Sequence, residues 1–480
     1  MPDEKTLSLQ PEEMRRLGYR VIDLLVDHFA TLSGQNVMTE PGPAELGATP
    51  RHAIPERGLP PDEVLDAVRS EVFGRMAHLT HPRFFAFVPS PSNFVGVMAD
   101  ALASGMNPFL GSWAVSEGPA QVELDVLEWL RGICGLPETA GGLFVSGGSV
   151  ANLTALAAAR HMRLGDRVGG AVVYCSDQAH SSIDRALRLL GFAGDQIRKL
   201  PSDDRFRLDV SALRRAVFED RRAGFRPFCV VANAGTTSTG AVDPLLALVE
   251  LCREQGLWLH ADGAYGAPAV LSAKGRLALE GLGEVDSLTL DPHKWLFQPI
   301  EIGAVLVRDR EDLRRTFHVL PEYLRDVRGG EGETNFRDYG IQLTRGFRAL
   351  KLWMSLQVFG EAGFRAAVTR GVELAEFAER GVRGCAEWEV VAPAQLGIVA
   401  FRFAPVSAEP GEHDRMNRAL VEELNRSGLA MISSTELRGR TALRMCTINP
   451  RTSEEDIRAT VERLCELADQ LLLRPADRVP

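Results

Sequence analysis

The alternation of apolar runs with helical stretches is the feature that most constrains the fold of this 480-residue chain. Strands that are apolar on both faces and separated by helices are typical of a mostly parallel sheet that is covered on both sides. We therefore expect an α/β fold with a mostly parallel central sheet. Its predicted strands span residues 142–145, 171–175, 228–232, 257–261, 287–290 and 303–307.

The two ends of the chain have a different pattern. Near the N-terminus, Pro11 is a favourable first helical residue, and the next apolar positions share one helical face: Met14, Leu17, Val21, Leu24 and His28. This face needs a cover, which is either the chain's own domain or a second subunit. Towards the C-terminus, a long helical stretch precedes predicted strands at 398–403 and 441–448, and a capping box at 452–455 opens the last helix. We predict an N-terminal helical segment (1–80), a large domain (81–370) and a small C-terminal α+β domain (371–480).

Two charged residues follow predicted strands at the edge where such sheets bind ligands. Asp262 directly follows the predicted strand 257–261, and Lys294 lies in the Asp-Pro-His-Lys string that follows the predicted strand 287–290. Taken singly, they would be interpreted as a turn or cap aspartate and a surface lysine. Together, in this order, they suit pyridoxal phosphate, because a desolvated lysine can form an imine with an aldehyde and a buried carboxylate can hold the pyridine nitrogen protonated.

Two further segments suit the same ligand. Gly147 and Gly148 follow an apolar strand and precede a helical run, so close backbone approach, helix N-terminal amides and the Ser149 hydroxyl could hold a phosphate. An ordinary strand-to-helix turn would show the same pattern. His180 follows another strand and could stack on a pyridine ring, although a lone histidine is more often structural.

These segments, together with residues 81–90 and 233–240, resemble the group II pyridoxal-phosphate-dependent amino-acid decarboxylases. The aromatic-L-amino-acid decarboxylases are the nearest group within them. The strings DPHKW at 291–295 and SDQAHSS at 176–182 are specific to this family, and the similarity runs from Leu7 to the C-terminal region. The resemblance implies a fold type I architecture of the aspartate aminotransferase kind, pyridoxal phosphate as cofactor, and a homodimer with its active site at the subunit interface.

Carried over position by position, the resemblance assigns roles to this chain's residues. Lys294 would carry the cofactor and Asp262 would pair with its pyridine nitrogen. His180 would cover one face of the ring and Ala264 the other. The other implied cofactor contacts are Gly148, Ser149, Ser90, Thr237, Asp291 and His293. Asp291 departs from the animal aromatic enzymes, which have an asparagine at this position.

Tyr323 decides between two outcomes after CO₂ is lost. It matches the family's mobile-loop tyrosine, the general acid that protonates the carbon from which CO₂ has left. A phenylalanine at this position marks the relatives that form aldehydes oxidatively. The Gly-rich segment that follows, residues 326–338, would equally suit a tyrosine in an ordinary surface loop. With His180 and Tyr323 both present, the resemblance implies an amine-forming carboxy-lyase.

The predicted substrate pocket differs from that of the animal aromatic enzymes. Leu79, Gly111 and Ile300 stand where those enzymes have a tryptophan and two phenylalanines. An enlarged apolar pocket would admit an indole as readily as a phenol, and no arginine is added to pair a side-chain carboxylate. The other predicted wall residues are Phe87, Pro89, Phe109 and Trp113. The open alternatives are decarboxylation of an acidic or aliphatic amino acid, aldehyde formation, and a catalytically silent homologue that acts by binding.

Composition excludes several partner classes. The net charge is −10 without a basic stripe, which disfavours nucleic acid. No apolar run approaches 18 residues, so we expect a protein without membrane spans. The seven cysteines are scattered without a CxxC pair, which predicts reduced thiols, a cytoplasmic location and no metal site.

Overall fold

The computed structural model describes residues 7–38, 52–165, 167–319 and 332–473. Within these residues the backbone forms a seven-stranded sheet and a four-stranded sheet, with helices packed against both. The larger sheet has the strand order β1-β7-β6-β5-β4-β2-β3. Its strands are β1 (Gly141–Val145), β2 (Ala171–Ser176), β3 (Ile197–Leu200), β4 (Arg226–Asn233), β5 (Trp258–Asp262), β6 (Ser287–Leu290) and β7 (Gly303–Val307).

The larger sheet is mostly parallel, as the sequence predicts. Neighbouring strands run parallel from β6 to β3, whereas β7 is antiparallel to both β1 and β6. The predicted strands lie close to their observed bounds, because their unbroken apolar residues are buried on both faces. Strand β3 was not predicted, since its Ile-Arg-Lys-Leu sequence is only partly buried at the sheet edge.

Helices cover both faces of the larger sheet and continue into the C-terminal unit. The long helix α12 is interrupted at Gly360, which has a positive φ of 65°. The helices are α1 (Pro11–Thr31), α2 (Pro61–Ala67), α3 (Phe94–Met106), α4 (Glu117–Ile133), α5 (Gly148–Leu164), α6 (Ser181–Leu189), α7 (Val210–Arg222), α8 (Leu245–Gln255), α9 (Ala273–Ala278), α10 (Pro292–Trp295), α11 (Arg310–Phe317), α12 (Ala349–Arg383), α13 (Pro410–Arg426) and α14 (Glu454–Leu473).

The smaller sheet is antiparallel throughout and lies in the C-terminal part of the chain. Its order is β10-β11-β9-β8, formed by β8 (Trp388–Gln395), β9 (Ile398–Phe403), β10 (Ser433–Leu437) and β11 (Arg440–Cys446). A separate apolar core lies between this sheet and the helices α13 and α14. The predicted domain boundary at residue 370 falls inside α12, so the domain limits stay a prediction.

Three local expectations have different outcomes. Helix α1 begins at Pro11 as predicted, and none of its residues is buried within the single chain. The capping box of α14 is shifted by one residue, because Ser453 and Asp456 exchange the capping hydrogen bonds. The expectation of seven reduced thiols is wrong for one pair, since Cys385 at the end of α12 is disulfide-bonded to Cys465 in α14. The other five cysteines are free and buried.

A helix that crosses a bilayer must be both long and apolar. In the parts of the chain that the structure describes, no helix is both long and apolar enough to cross a bilayer.

Candidate active site

A cavity of about 360 Å³ lies at the carboxyl ends of the parallel strands. Parallel strands place their carboxyl ends at one edge of the sheet, so polar residues distant in sequence meet there. The lining residues are Ser146, Gly147, Gly148, Ser149, Val150, Asn152, His180, Ser182, Asn233, Gly235, Thr236, Thr237, Asp262, Ala264, Tyr265, Asp291, His293, Lys294 and Glu301.

Lys294 lies on the single-turn helix α10 and forms an ion pair with Asp291. Its Nζ is 2.9 Å from Asp291 Oδ2, and the Asp291 side chain is only 2% exposed. The other carboxylate oxygen, Oδ1, is buried without a hydrogen-bond partner. The indole of Trp295 stacks on Tyr265 with ring centroids 5.3 Å apart and fixes the turn that carries Lys294. The lysine is therefore paired with a buried carboxylate and carried on a turn that the packing of Trp295 fixes.

His293 lies between Asp291 and the strand β7. Its Nδ1 is 2.6 Å from the Ile302 carbonyl oxygen, which fixes the ring, and Nε2 is 3.7 Å from Asp291 Oδ2. Burial lowers the pKa of His293 below its ordinary value, partly opposed by the neighbouring carboxylate of Asp291. The imidazole is consequently suited to act as a neutral hydrogen-bonding group.

Asp262 ends strand β5 and has donors on both carboxylate oxygens. Oδ2 accepts a hydrogen bond from Asn152 Nδ2 at 2.9 Å, and Oδ1 accepts one from the Ala264 backbone N–H at 3.2 Å. The side chain is buried, and its neighbour in register on β4 is Asn233. The carboxylate is thus fixed in one orientation inside the cavity.

Glycines allow the backbone to approach the Lys294 region closely. A Cβ atom on Gly148 would lie 2.9 Å from Asp291 Oδ2 and 3.0 Å from Ala264 Cβ. A Cβ atom on Gly303 would lie 2.5 Å from the Gly147 Cα. Helix α5 begins at Gly148, so its unpaired N-terminal amides face this narrow space and favour an anion there.

His180 precedes helix α6 and acts as its N-cap. Its Nδ1 accepts a hydrogen bond from the Ser182 backbone N–H at 3.2 Å and lies 2.8 Å from Ser182 Oγ. The ring itself is exposed within the single chain. One edge of the imidazole is therefore fixed by the protein, while its faces remain accessible.

The sequence matches the family model described as "Pyridoxal-dependent decarboxylase conserved domain" over residues 43–404. The chain belongs to this family. It is 48% identical over 469 residues to an aromatic-L-amino-acid decarboxylase of Bacillus atrophaeus, which covers 97% of this chain and 98% of that protein. It is 31% identical over 477 residues to a phenylacetaldehyde synthase of Arabidopsis thaliana, with 97% of each chain covered. The crystal structure of Oryza sativa TDC with PLP and tryptamine aligns with a TM-score of 0.90 at 31% identity, over 97% of this chain and 100% of that chain.

These comparisons confirm the resemblance inferred from the motifs, together with the fold type and the dependence on pyridoxal phosphate. The cavity of this pyridoxal-dependent decarboxylase also fits the cofactor. The glycine-lined N-terminus of α5 suits the phosphate, and Asp262 supplies a buried carboxylate for a pyridine nitrogen. Lys294 supplies an amine in the same cavity.

Most of the predicted cofactor residues line one cavity. They are Lys294, Asp262, Ala264, His180, Gly148, Ser149, Thr237, Asp291 and His293. Ser90 is not among the lining residues, and Tyr323 lies outside the described residues. The individual roles of these side chains in the decarboxylase stay predictions.

The predicted pocket-wall residues do not line this cavity. They are Leu79, Phe87, Pro89, Phe109, Gly111, Trp113 and Ile300. Phe87 and Ile300 are 60% and 62% exposed on the single chain. Gly111 leaves no opening here, because a Cβ atom would lie 2.5 Å from the Leu343 carbonyl oxygen and 2.7 Å from the Phe109 ring. The pocket argument from Gly111 is therefore not supported by the packing.

Seven polar residues of the cavity were not predicted as site residues: Ser146, Asn152, Ser182, Asn233, Thr236, Tyr265 and Glu301. Asn233 ends β4 as Asp262 ends β5, so the strand-end rule could have found it. Asn152 lies one turn into α5, four residues after Gly148, and helical spacing could have placed it on the same side. Ser182 and Glu301 carry no such pattern in the sequence.

Arg444, which the sequence places on the second predicted C-terminal strand without a role, lies on β11. Its guanidinium is buried, and Nη1 donates to the Phe87 carbonyl oxygen at 2.6 Å and to Ser433 Oγ at 3.2 Å. Nε and Nη2 have no hydrogen-bond partner. Arg444 thus fixes the backbone of the predicted wall residue Phe87, which has a positive φ of 50°.

Proposed function

We propose that this protein removes CO₂ from aromatic L-amino acids and releases the corresponding amines, with pyridoxal phosphate bound at Lys294. The observation that carries the proposal is the meeting of Lys294, Asp291 and Asp262 in one buried cavity. The aromatic substrate class is supported by the 48% identity to the Bacillus atrophaeus decarboxylase over nearly the whole chain.

The cofactor, when bound, supplies the electron sink that allows the bond to the carboxylate carbon to break. The protein's residues prepare the site for that chemistry. Lys294 provides the amine, and Asp291 holds its ammonium form in place at 2.9 Å. Asp262, held by two N–H donors, keeps a negative charge where the pyridine nitrogen needs one to retain its proton. His180 would cover one face of the cofactor ring.

The phosphate is the second anchor in this proposal. Ser149 and the N-terminal amides of α5 would bind it, since both offer N–H or O–H donors at a helix N-terminus. The neutral His293 imidazole adds a further contact beside them. Anchoring at this end leaves Asp262 and Lys294 to position the ring.

The proposal is tested by incubating the purified protein, loaded with pyridoxal phosphate, with each proteinogenic amino acid and with L-DOPA and 5-hydroxytryptophan. Mass spectrometry identifies the products. We expect amines from tryptophan, tyrosine, phenylalanine or L-DOPA. Amines from glutamate, aspartate or aliphatic amino acids alone would contradict the proposed substrate class. They would leave the assignment of Lys294 as the cofactor-binding lysine unchanged.

Aldehyde formation is the second candidate function. It is favoured by the similarity to the Arabidopsis thaliana phenylacetaldehyde synthase, 31% identical over 97% of this chain. Tyr323 argues against it, because a general acid at this position returns a proton to the substrate carbon. Assaying aldehyde and hydrogen peroxide beside the amine separates the two functions.

We further propose a homodimer located in the cytoplasm. Helix α1 leaves Met14 and Tyr19 exposed and has no buried residue, so its apolar face lacks a cover within the single chain.

Five buried free cysteines favour a reducing compartment, whereas the Cys385–Cys465 disulfide is of the kind found in oxidising ones. Light scattering after size exclusion gives the oligomeric state, and thiol alkylation of cell extracts gives the redox state of this pair.

A further inference from the structure

A chain of hydrogen-bonded polar side chains in the wall of the cavity joins Asp262 and His180, the two residues that we assign to the cofactor ring. Asn152 is at the centre of the chain and contacts His260, Asp262 and Ser182, each at 2.9 Å. Beyond these contacts, His260 reaches Ser287 and Ser182 reaches His180. Asn152, Ser182, His260 and Ser287 are all at most 1% exposed, so bulk water competes little for these hydrogen bonds.

The orientation of the Asn152 amide follows from Asp262. A carboxylate only accepts hydrogen bonds, so the amide atom beside Asp262 Oδ2 must be the NH₂ group. The same NH₂ group donates its second hydrogen to Ser182 Oγ. The amide oxygen then faces His260 Nε2, which must donate to it.

The branch through His260 is fixed in the same way. With its proton on Nε2, the neutral ring accepts at Nδ1, where Ser287 Oγ lies at 2.9 Å and donates. Ser287 Oγ in turn accepts from the indole N–H of Trp258 at 2.8 Å. Burial lowers the pKa of His260 to about 4, so the ring is neutral at physiological pH. Every member of this branch has a donor or acceptor of the correct kind.

The branch through Ser182 fixes the tautomer of His180. Ser182 Oγ accepts from Asn152, and its own hydrogen goes to His180 Nδ1 at 2.8 Å. The Ser182 backbone N–H also donates to Nδ1. Because Nδ1 accepts, the proton of the neutral ring is on Nε2.

From this arrangement we infer that Asn152 is a positioning residue that orients both Asp262 and, through Ser182, His180. The inference rests on one part of the proposed function, the assignment of Asp262 and His180 to the cofactor ring. One amide hydrogen holds the carboxylate that faces the ring nitrogen, and the other directs the hydroxyl that fixes the imidazole. Without Asn152, Asp262 would lose one of its two N–H donors, and its carboxylate would no longer be fixed towards the position of the ring nitrogen.

The test uses Asn152→Leu, Ser182→Ala and a control variant of the full-length protein. Thr154→Val is the control, because Thr154 is buried in the same helix and its hydroxyl bonds only to the Val150 carbonyl. Pyridoxal phosphate affinity and the ¹⁵N resonance of its labelled ring nitrogen are measured by titration and solid-state NMR. In wild type and Thr154→Val we expect a protonated ring nitrogen. In Asn152→Leu we expect roughly tenfold weaker binding, the usual effect of losing a hydrogen bond to a charged group, and partial loss of the ring proton.

The two branches are separated by the second variant. Ser182→Ala leaves the contact between Asn152 and Asp262 intact, so the ring nitrogen stays protonated. The variant removes one of the two donors to His180 Nδ1. We therefore expect ¹⁵N-histidine spectra to show a fraction of His180 with its proton on Nδ1. The His180 signal is assigned by comparison with the spectrum of His180→Gln. Wild-type binding and ring protonation in Asn152→Leu would overturn the inference. A spectrum of the wild-type protein with the His180 proton on Nδ1 would also overturn the inference. This measurement is possible even if Asn152→Leu does not fold. These measurements need no turnover, so a failed substrate assay would contradict the proposed function alone.

Discussion

Lys294 and Asp291 form an ion pair across one helical turn, with Nζ 2.9 Å from Oδ2. The second oxygen of Asp291 has no hydrogen-bond partner, although the side chain is buried beside Gly148. The carboxylate therefore neutralises the lysine and also lies next to the space that we assign to the cofactor phosphate. A cofactor phosphate bound beside Gly148 would therefore face a second negative charge, that of Asp291.

The first prediction concerns Asp291→Asn. Removing the like charge should strengthen the binding of pyridoxal phosphate by roughly tenfold, or ~1.4 kcal/mol. Titration of the cofactor-free protein, followed by fluorescence, measures this change. Pyridoxal, which lacks the phosphate, is the matched control ligand and should bind with little change. Equal gains for the two ligands would mean that Asp291 does not act on the phosphate.

The second prediction concerns Asp262→Asn. The neutral amide cannot stabilise a protonated pyridine nitrogen, and its NH₂ group would face a donor in either orientation, the Asn152 NH₂ group or the Ala264 N–H. We expect kcat to fall by about 10³-fold, close to 4 kcal/mol of barrier. Asp286→Asn is the control, because Asp286 accepts from the Leu259 N–H at the opposite end of the strands. A single-turnover rate near that of wild type would show that another group holds the ring nitrogen.

The third prediction concerns Tyr323→Phe. Loss of the general acid should divert product from amine towards aldehyde and hydrogen peroxide when oxygen is present. Product ratios measured by mass spectrometry under air and under nitrogen report the change. Tyr339→Phe, a partly buried tyrosine outside the cavity, should keep the wild-type ratio. An unchanged amine yield in Tyr323→Phe would refute its role as the acid.

The fourth prediction concerns the pH dependence of stability. Burial lowers the pKa of His260 from 6.5 to about 4, so the unfolded chain binds a proton in this interval that the folded chain does not. The free energy of unfolding should therefore fall as the pH is lowered through the interval, by up to about 3 kcal/mol from this group. In His260→Gln, denaturant unfolding of the cofactor-free protein should show a smaller decrease between neutral and acidic pH. The exposed His161→Gln variant should keep the wild-type decrease, and an equal decrease in His260→Gln would contradict the assignment.

Much of the fold was predictable because burial on both faces makes strands such as Gly141–Val145 and Gly303–Val307 continuously apolar. Strand β3 has no such signal, since a half-exposed edge strand tolerates Arg198 and Lys199. The Cys385–Cys465 contact was not predictable either. It depends on how α12 packs against α14, across a sequence separation of 80 residues.

The site was predictable where a residue follows a strand directly. Asp262 and Lys294 could be placed together because the carboxyl ends of parallel strands share one edge. Residues that act through others, such as Ser182 and His260, carry no comparable signal in the sequence, because their partners come from different elements. The predicted substrate wall stays a prediction, and the sequence could not show the space beside Gly111, because that space depends on the position of Leu343.

The most direct measurement is the release of labelled CO₂ from carboxyl-labelled tyrosine, tryptophan and glutamate by the wild-type protein and by Lys294→Ala, both supplied with pyridoxal phosphate. We predict one CO₂ for each amine formed from the aromatic substrates by the wild type, and none from Lys294→Ala. Release from glutamate alone would contradict the aromatic substrate class. Undiminished release by Lys294→Ala would contradict the assignment of Lys294 as the lysine that carries the cofactor.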